Sequence, residues 1–259
     1  MADWLFAVHV AIGALGGLCA GLFGIGGGVV FGPLLLLLAV ERGIPVDSAV
    51  AGAVATSSAI VILTAVPSAL MHSVQGSVDW RLLRVLAPAA VVGAALGAWL
   101  VVRVDPRIPE LLMLALLIIG IRALWKRPAA AGVAAVRPQP AMLVTGGSGA
   151  GCMGALTGTG GGLITMPMLV RAEVTLPQAI GTSAVVTMLI AGTASGVFAG
   201  EAVNLAALIS VSCGAIAFAV LGARLATKLA GGIIRWLCCA LMIGISLRLG
   251  YWLVASLLA

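Results

Sequence analysis

Two short glycine runs carry the residues best suited to chemistry in this chain. Gly24-Ile25-Gly26-Gly27-Gly28 is followed by Pro33, and Gly158-Thr159-Gly160-Gly161-Gly162 by Pro167, with identical internal spacing. A helix that starts at such a run presents unpaired N–H groups and the positive end of its dipole, a combination that suits an anion. Glycine fits there because a missing side chain lets a ligand reach the backbone. An anion entering a low-dielectric interior needs replacement hydrogen bonds, or desolvation keeps it out. Gly26, Gly27, Gly28, Gly160, Gly161 and Gly162 are therefore the first candidates for an anion site, with Thr159 beside the second run. The competing reading gives glycine a packing role, because Gly-x-x-x-Gly spacing recurs at Gly13/Gly17/Gly21, Gly93/Gly97 and Gly192/Gly196/Gly200.

Hydroxyls come next. Ala55-Thr56-Ser57 and Gly181-Thr182-Ser183 are read as opening two apolar helices, where they would offer hydroxyls to an anion from both halves of the chain. Helix capping, or back-bonding within the helix, is the alternative. His72 ends an apolar stretch and titrates near neutrality, so it is a candidate to couple protons or touch the anion. Otherwise it is an interfacial residue; His9 ranks below it. Arg248 is the basic residue well inside an expected span, a functional flag unless it snorkels or meets a partner. Gly146-Gly147-Ser148-Gly149 has the look of a rhomboid-type nucleophile, but a serine nucleophile needs a base within reach. Both histidines precede Ser148, whereas the rhomboid order places the histidine later. The five cysteines (Cys19, Cys152, Cys213, Cys238, Cys239) fall in apolar stretches without Cys-x-x-Cys spacing, so they read as small buried hydrophobes. No metal and no cofactor is expected.

The elements that must position these residues follow from composition. Of 259 residues, 62% are hydrophobic and only 8% charged, and the mean hydropathy is +1.24. Soluble domains carry about 25% charged residues, so this chain cannot cover itself in water. That excludes a soluble enzyme, a disordered chain and a nucleic-acid binder. The net charge of +6, spread over loops, makes no phosphate-binding stripe. The first apolar stretch follows Asp3 rather than a basic segment, and reads as a retained span rather than a signal peptide. Trp80, Trp99, Trp125 and Trp236 lie near span ends and read as interfacial anchors.

Apolar segments run over 4–23, 29–40, 48–71, 85–102 and 111–125, and then over 141–157, 163–170, 179–199, 205–223 and 234–258. Between the sets lie Lys126, Arg127 and Arg137 with three prolines. Gly93-Ala94-Ala95-Leu96-Gly97-Ala98 and Phe218-Ala219-Val220-Leu221-Gly222-Ala223 add a third paired landmark in the same order. Two homologous repeats follow, over 1–125 and 141–259, joined by a basic cytoplasmic linker over 126–140.

The second segment of each half is short, about 18 Å for 29–40 and about 12 Å for 163–170, against about 30 Å of bilayer core. Each glycine run then sits at the tip of a re-entrant hairpin, where protein buries the broken backbone; Pro33 and Pro167 are assigned structural roles. Three full spans remain per half. Three is odd, so the halves are oppositely oriented. With the N-terminus outside, ten basic residues fall inside against three outside, whereas four crossings per half would split them six against seven. The positive-inside bias selects the first arrangement. The expected fold is an all-α polytopic membrane protein of two inverted-topology repeats, each a re-entrant or short-helix Gly-rich hairpin plus three transmembrane helices.

The doubled Gly-x-Gly-Gly-Gly with its proline, each followed by Ala/Gly-Thr-Ser, resembles the TauE/SafE sulfite exporter family of bacterial membrane transporters. The stretch from Ala55-Thr56-Ser57 through His72, Gly76 and Val78-Asp79-Trp80 is similar to that family's first half. The resemblance implies a multi-pass inner-membrane carrier, not an enzyme, that exports sulfite or short organosulfonates such as sulfoacetate. Phe198 stands where alignment puts a partner for His72, and Asn204-Leu205 replaces Asp79-Trp80, so roles needing those groups rest on the first half. Inverted-repeat carriers build midplane sites from broken helices. Anion export from a cell negative inside is downhill by about 2.3 kcal/mol per charge per 100 mV, so a uniporter needs no coupling ion; proton coupling through His72 is the alternative. An anion channel of similar selectivity is the nearer rival function, and a hydrolase at Ser148 the remoter one. The expected partners are a small anion and the lipid bilayer, with no nucleic acid, and a homodimer is one assembly open to the chain.

Overall fold

The computed structural model describes residues 2–23, 26–125, 139–198, 203–226 and 232–258. Ten helices follow one another in it: α1 (Ala2–Phe23), α2 (Gly28–Glu41), α3 (Val46–Val74), α4 (Trp80–Val101), α5 (Arg107–Trp125), α6 (Pro140–Leu156), α7 (Gly162–Arg171), α8 (Leu176–Val197), α9 (Leu205–Ala226) and α10 (Gly232–Leu258). No strand occurs among the described residues. Each apolar segment has become one helix. The largest shift is at α4, which starts five residues before the apolar run because Asp79 caps it: Oδ1 accepts from the backbone N–H groups of Arg81 and Leu82 at 2.9 and 3.2 Å. A cap, rather than the first apolar residue, decides where a helix begins. The linker basic residues Lys126, Arg127 and Arg137 lie outside the described residues, as do Gly24, Ile25 and Gly200.

Five of these helices are long and apolar enough to cross a membrane: α1, α3, α4, α8 and α9. This is a multi-pass membrane protein. By contrast α2, with 14 residues, and α7, with 10, extend only about 21 and about 15 Å. Both begin at the glycine runs.

The packing is interlocked rather than layered half by half. The most extensive contacts join α1 to α9 and α4 to α6, followed by α3 with α8, α3 with α9 and α4 with α8. Exchanging each first-half helix for its second-half counterpart turns the α1–α9 contact into α6–α4, and α3–α9 into α8–α4. The α3–α8 and α5–α10 pairs map onto themselves under the same exchange. Small residues make the two long seams possible. A Cβ on Gly13 or Gly17 of α1 would stand 2.0 Å from the Val211 carbonyl oxygen or 2.2 Å from that of Ala215. On α4, a Cβ on Gly93 or Gly97 would stand 2.1 Å from the carbonyl oxygen of Ser148 or Cys152. The third Gly-x-x-x-Gly repeat differs: Gly192 and Gly196 face open space, so that spacing makes no crossing within the chain.

A matched pair of substitutions tests the seams. Gly97→Leu drives a side chain into a backbone carbonyl and is expected to destabilise by about 1–3 kcal/mol or more, whereas Gly196→Leu, which meets nothing, should leave stability unchanged. Thermal unfolding in detergent measures both; equal midpoints would remove the packing role assigned to Gly97.

Polar exceptions settle into place at the periphery. Arg248 does not stand alone in its span: its guanidinium pairs with the Glu41 carboxylate at the end of α2, and both side chains are about half-exposed. Trp80, Trp99 and Trp236 are exposed on their helices, as anchors require, while the side chain of Trp125 lies outside the described residues. Cys19 and Cys239 are buried, but Cys213 is exposed, against the expectation for the cysteines as a group. It lies on the outer face of α9, where lipid accepts an apolar thiol as readily as a core does. The side chain of Cys238 lies outside the described residues.

Candidate functional site

The two glycine runs meet in the middle of the molecule. A Cβ on Gly28 would stand 2.3 Å from the Gly158 carbonyl oxygen and 2.7 Å from the Thr159 Cα, and one on Gly26 would stand 3.2 Å from the Thr159 carbonyl oxygen. Gly26–Gly28 and Gly158–Gly162 are buried throughout. The second run also needs glycine for its backbone, since Gly158, Gly160 and Gly161 have φ of +68°, +77° and +73°. Neither α2 nor α7 receives a side-chain cap at its N-terminus. Pro33 and Pro167 sit inside these two helices, where each withholds the N–H that would reach the carbonyl of Val29 or Leu163. Thr159 is tied to its own loop, its Oγ1 lying 3.0 Å from that of Thr157, which in turn donates to the Met153 carbonyl at 2.7 Å.

The two chain breaks therefore meet, and in this conformation they close on each other. A void of about 10 Å³ lies beside them, lined by Ala20, Gly26, Ala65, Ser68, Ala184 and Thr187.

Thr56, Ser57, Thr182 and Ser183 lie inside α3 and α8 rather than at their openings, because α3 starts after Pro45 and α8 after Thr175. Thr56, Ser57 and Thr182 bond across the molecule instead. Thr56 Oγ1 accepts from the backbone N–H of Asn204 at 3.0 Å, and Thr182 Oγ1 accepts from that of Asp79 at 3.0 Å. These are matching positions in the two halves, so each half clasps the turn that begins the other half's next helix. Ser57 Oγ donates to the Gly158 carbonyl at 2.8 Å and so holds the opposite glycine run. Ser183 is fully buried in the corresponding place. Each threonine hydroxyl that accepts still carries one proton to donate.

His72 is buried among its neighbours. It lies in the last turn of α3, 4% exposed, and its Nε2 has no partner among the described residues. One turn earlier on the same face, Ser68 Oγ is buried and unpartnered, and so is Thr187 Oγ1 across the small void. An unsatisfied buried polar group costs about 1–3 kcal/mol, and such groups persist where water or a ligand completes them. Together they mark a polar strip running from the glycine tips toward the far end of α3. Ser68 and Thr187 were not singled out in the sequence, although the four-residue spacing from Ser68 to His72 is the signal for the first.

At the other end of α3 a cavity of about 330 Å³ opens, with His9, Arg42, Ser48, Thr56 and Asn204 among its polar lining. His9 is 5% exposed and its Nδ1 lies 2.9 Å from Ser210 Oγ, which itself donates to the Ala206 carbonyl at 2.6 Å. The serine proton is thereby committed, so Nδ1 is the donor and Nε2 is the ring nitrogen left for the cavity. Asn204 spends its Oδ1 on the Ala207 N–H at 3.0 Å, which leaves its NH₂ group to donate. Ser148, by contrast, donates to the Thr145 carbonyl at 3.1 Å within α6, and its own carbonyl receives Gly93 of α4. Its glycine-rich surroundings serve a helix seam.

Comparison with known proteins gives a consistent result. A family profile described as "Sulfite exporter TauE/SafE" matches residues 9–249. A "Probable membrane transporter protein" of Haemophilus influenzae is 31% identical over 179 residues, covering 69% of this chain and 68% of that protein. A relative of the same description from Methanocaldococcus jannaschii is 26% identical over 180 residues, 69% of this chain and 67% of its own. A third, from Bacillus subtilis, is 31% identical over 121 residues, 46% of this chain and 42% of its own. No solved structure matches.

Proposed function

The chain belongs to the sulfite exporter TauE/SafE family, and on that premise we propose that it exports small sulfur-containing anions, sulfite or short organosulfonates such as sulfoacetate, by alternating access of two inverted halves in the bacterial inner membrane. The observation that carries this reading is the burial of two uncapped helix starts against each other at the crossing of the halves, flanked by unpartnered hydroxyls. An anion passing there would exchange its water for backbone N–H groups of Gly26, Gly27, Gly28, Gly160, Gly161 and Gly162 and for the hydroxyls of Thr56, Ser57, Thr159, Thr182 and Ser183, once opening of the crossing releases the Gly160 N–H from the Gly154 carbonyl and the Ser57 hydroxyl from the Gly158 carbonyl. His72 would meet it on the cytoplasmic leg.

Opposite orientation of the halves is supported by the clasps. Thr182, near the start of α8, bonds to Asp79, which follows the end of α3, so the start of α8 lies beside the end of its counterpart. The glycine crossing is closed here, as a carrier requires of at least one gate at all times. A channel of the same selectivity would open both legs together. Purified protein in liposomes loaded with sulfite or sulfoacetate distinguishes the two. The expected result is saturable efflux that responds to membrane potential; non-saturating flux would assign a channel, and no flux of either anion would reject the proposal.

A further inference from the structure

The two halves differ in one length that the symmetry makes meaningful. From Gly28 to Thr56 the chain advances 28 positions, and from Gly162 to Thr182 only 20, a difference of eight. The surplus lengthens the end of α2 and the start of α3. That is where the walls of the 330 Å³ cavity come from, since Leu38, Ala39, Arg42, Ile44, Ser48 and Ala49 all line it. The vestibule is an addition to the first half, not a by-product of the shared architecture.

Its chemistry has one sign. Arg42 stands at its rim, and no carboxylate forms an ion pair with it among the described residues. The adjacent acidic residue, Glu41, is held by Arg248 of α10. Along its lining, the Asn204 NH₂ group and the hydroxyls of Ser48 and Thr56 are available to an acceptor, whereas His9, whose Nδ1 proton goes to Ser210, keeps an unprotonated Nε2 that donates only once the ring takes up a second proton. A volume of this size falls at the lower end of the range of about 300–1,000 Å³ seen for small-molecule sites.

Its side of the membrane follows from charge. The chain runs along α3 away from the vestibule, so Arg81 and Arg84 at the start of α4 lie at the opposite end. Arg122 of α5, Arg171 of α7 and Arg224 of α9 end their helices there as well. Basic residues collect on the cytoplasmic side, so the vestibule opens outward.

We propose that the vestibule is the extracytoplasmic binding site of the carrier, selecting small oxyanions through the Arg42 guanidinium, the Asn204 amide and the hydroxyls of Ser48 and Thr56. This rests on the transport reading above and names where the anion is held before release. A guanidinium gives a charge-assisted bond whose loss costs at least about tenfold in affinity.

The test uses the purified full-length chain in detergent, with sulfite and sulfoacetate as probes. Arg42→Gln is expected to weaken binding of both at least about tenfold, and Arg42→Lys to recover most of it. Arg103→Gln, at another exposed arginine of the same end that stacks on Trp99 and does not line the vestibule, should leave binding unchanged. Wild-type affinity retained in Arg42→Gln overturns the proposal while the transport reading stands. Failure of the unmodified chain to bind either probe rejects the transport reading itself. Sidedness has its own arm: Ser48→Cys should react with a membrane-impermeant maleimide in intact cells above the wild-type background, and sulfoacetate should slow the reaction. Labelling only after permeabilisation overturns the outward assignment.

Discussion

Gly28→Ala is expected to reduce anion flux in proteoliposomes by more than about tenfold, the factor that about 1.4 kcal/mol represents in a rate. The reason lies at the crossing of the glycine runs. The added methyl would stand 2.3 Å from the Gly158 carbonyl oxygen, 2.7 Å from the Thr159 Cα and 2.8 Å from a methyl of Val61. A flexible side chain could swing aside; two stretches of backbone cannot. Overpacking of this kind costs about 1–3 kcal/mol, and the rigid neighbours place the cost at the upper end. Flux should fall further than stability does, because any cycle that opens and recloses the crossing must pass the obstacle twice. Gly149→Ala provides the control, since nothing approaches that position on α6 within 4 Å. If Gly28→Ala lowers the unfolding midpoint but transports at the wild-type rate, the crossing is structural and the anion takes another route.

The second large effect concerns the clasps. Thr56→Val and Thr182→Val keep the shape of the side chain and remove the acceptor, leaving the Asn204 or Asp79 N–H without its partner. Each loss should cost about 1–3 kcal/mol of stability. The clasps lie at opposite ends of α3, so the two costs should add within about 0.5 kcal/mol. Thr56→Ser keeps the oxygen and should restore most of the loss. Binding separates the two sites. Thr56 also lines the outward vestibule, so Thr56→Val should weaken sulfite binding in detergent more than Thr182→Val does. Strong non-additivity in thermal unfolding, or equal binding defects, would contradict this assignment.

Much of the architecture was legible before any coordinates, for a physical reason. Spans are long apolar runs, and glycine runs with a proline five residues on interrupt them, so ten segments and two chain breaks can be counted directly. Helix starts were less legible where a cap or a proline set them, as Asp79 does for α4 and Pro45 for α3. Thr56 and Thr182 were consequently misplaced as helix openers.

The partners of these residues were out of reach altogether. Thr56 bonds to a residue 148 positions away, His9 to one 201 away and Arg248 to one 207 away. Periodicity is a local signal and carries no information about such separations. His9 therefore ranked low until the fold brought Ser210 to its ring and Arg42 to the same cavity. The extra eight residues between Gly28 and Thr56 could be counted in the sequence, but only the interlocked pairing shows that they build a wall.

That inequality of length bears on how a carrier of this shape behaves under load. If the outward mouth is roomier than its inward counterpart, the solute half-saturates the protein at different concentrations from the two sides. Detailed balance then forces the turnover rates to differ in compensation, so that equal concentrations at zero voltage still give no net movement. The protein would work as a rectifier in rate without being a pump, fast in one direction and sluggish in the other under the same driving force.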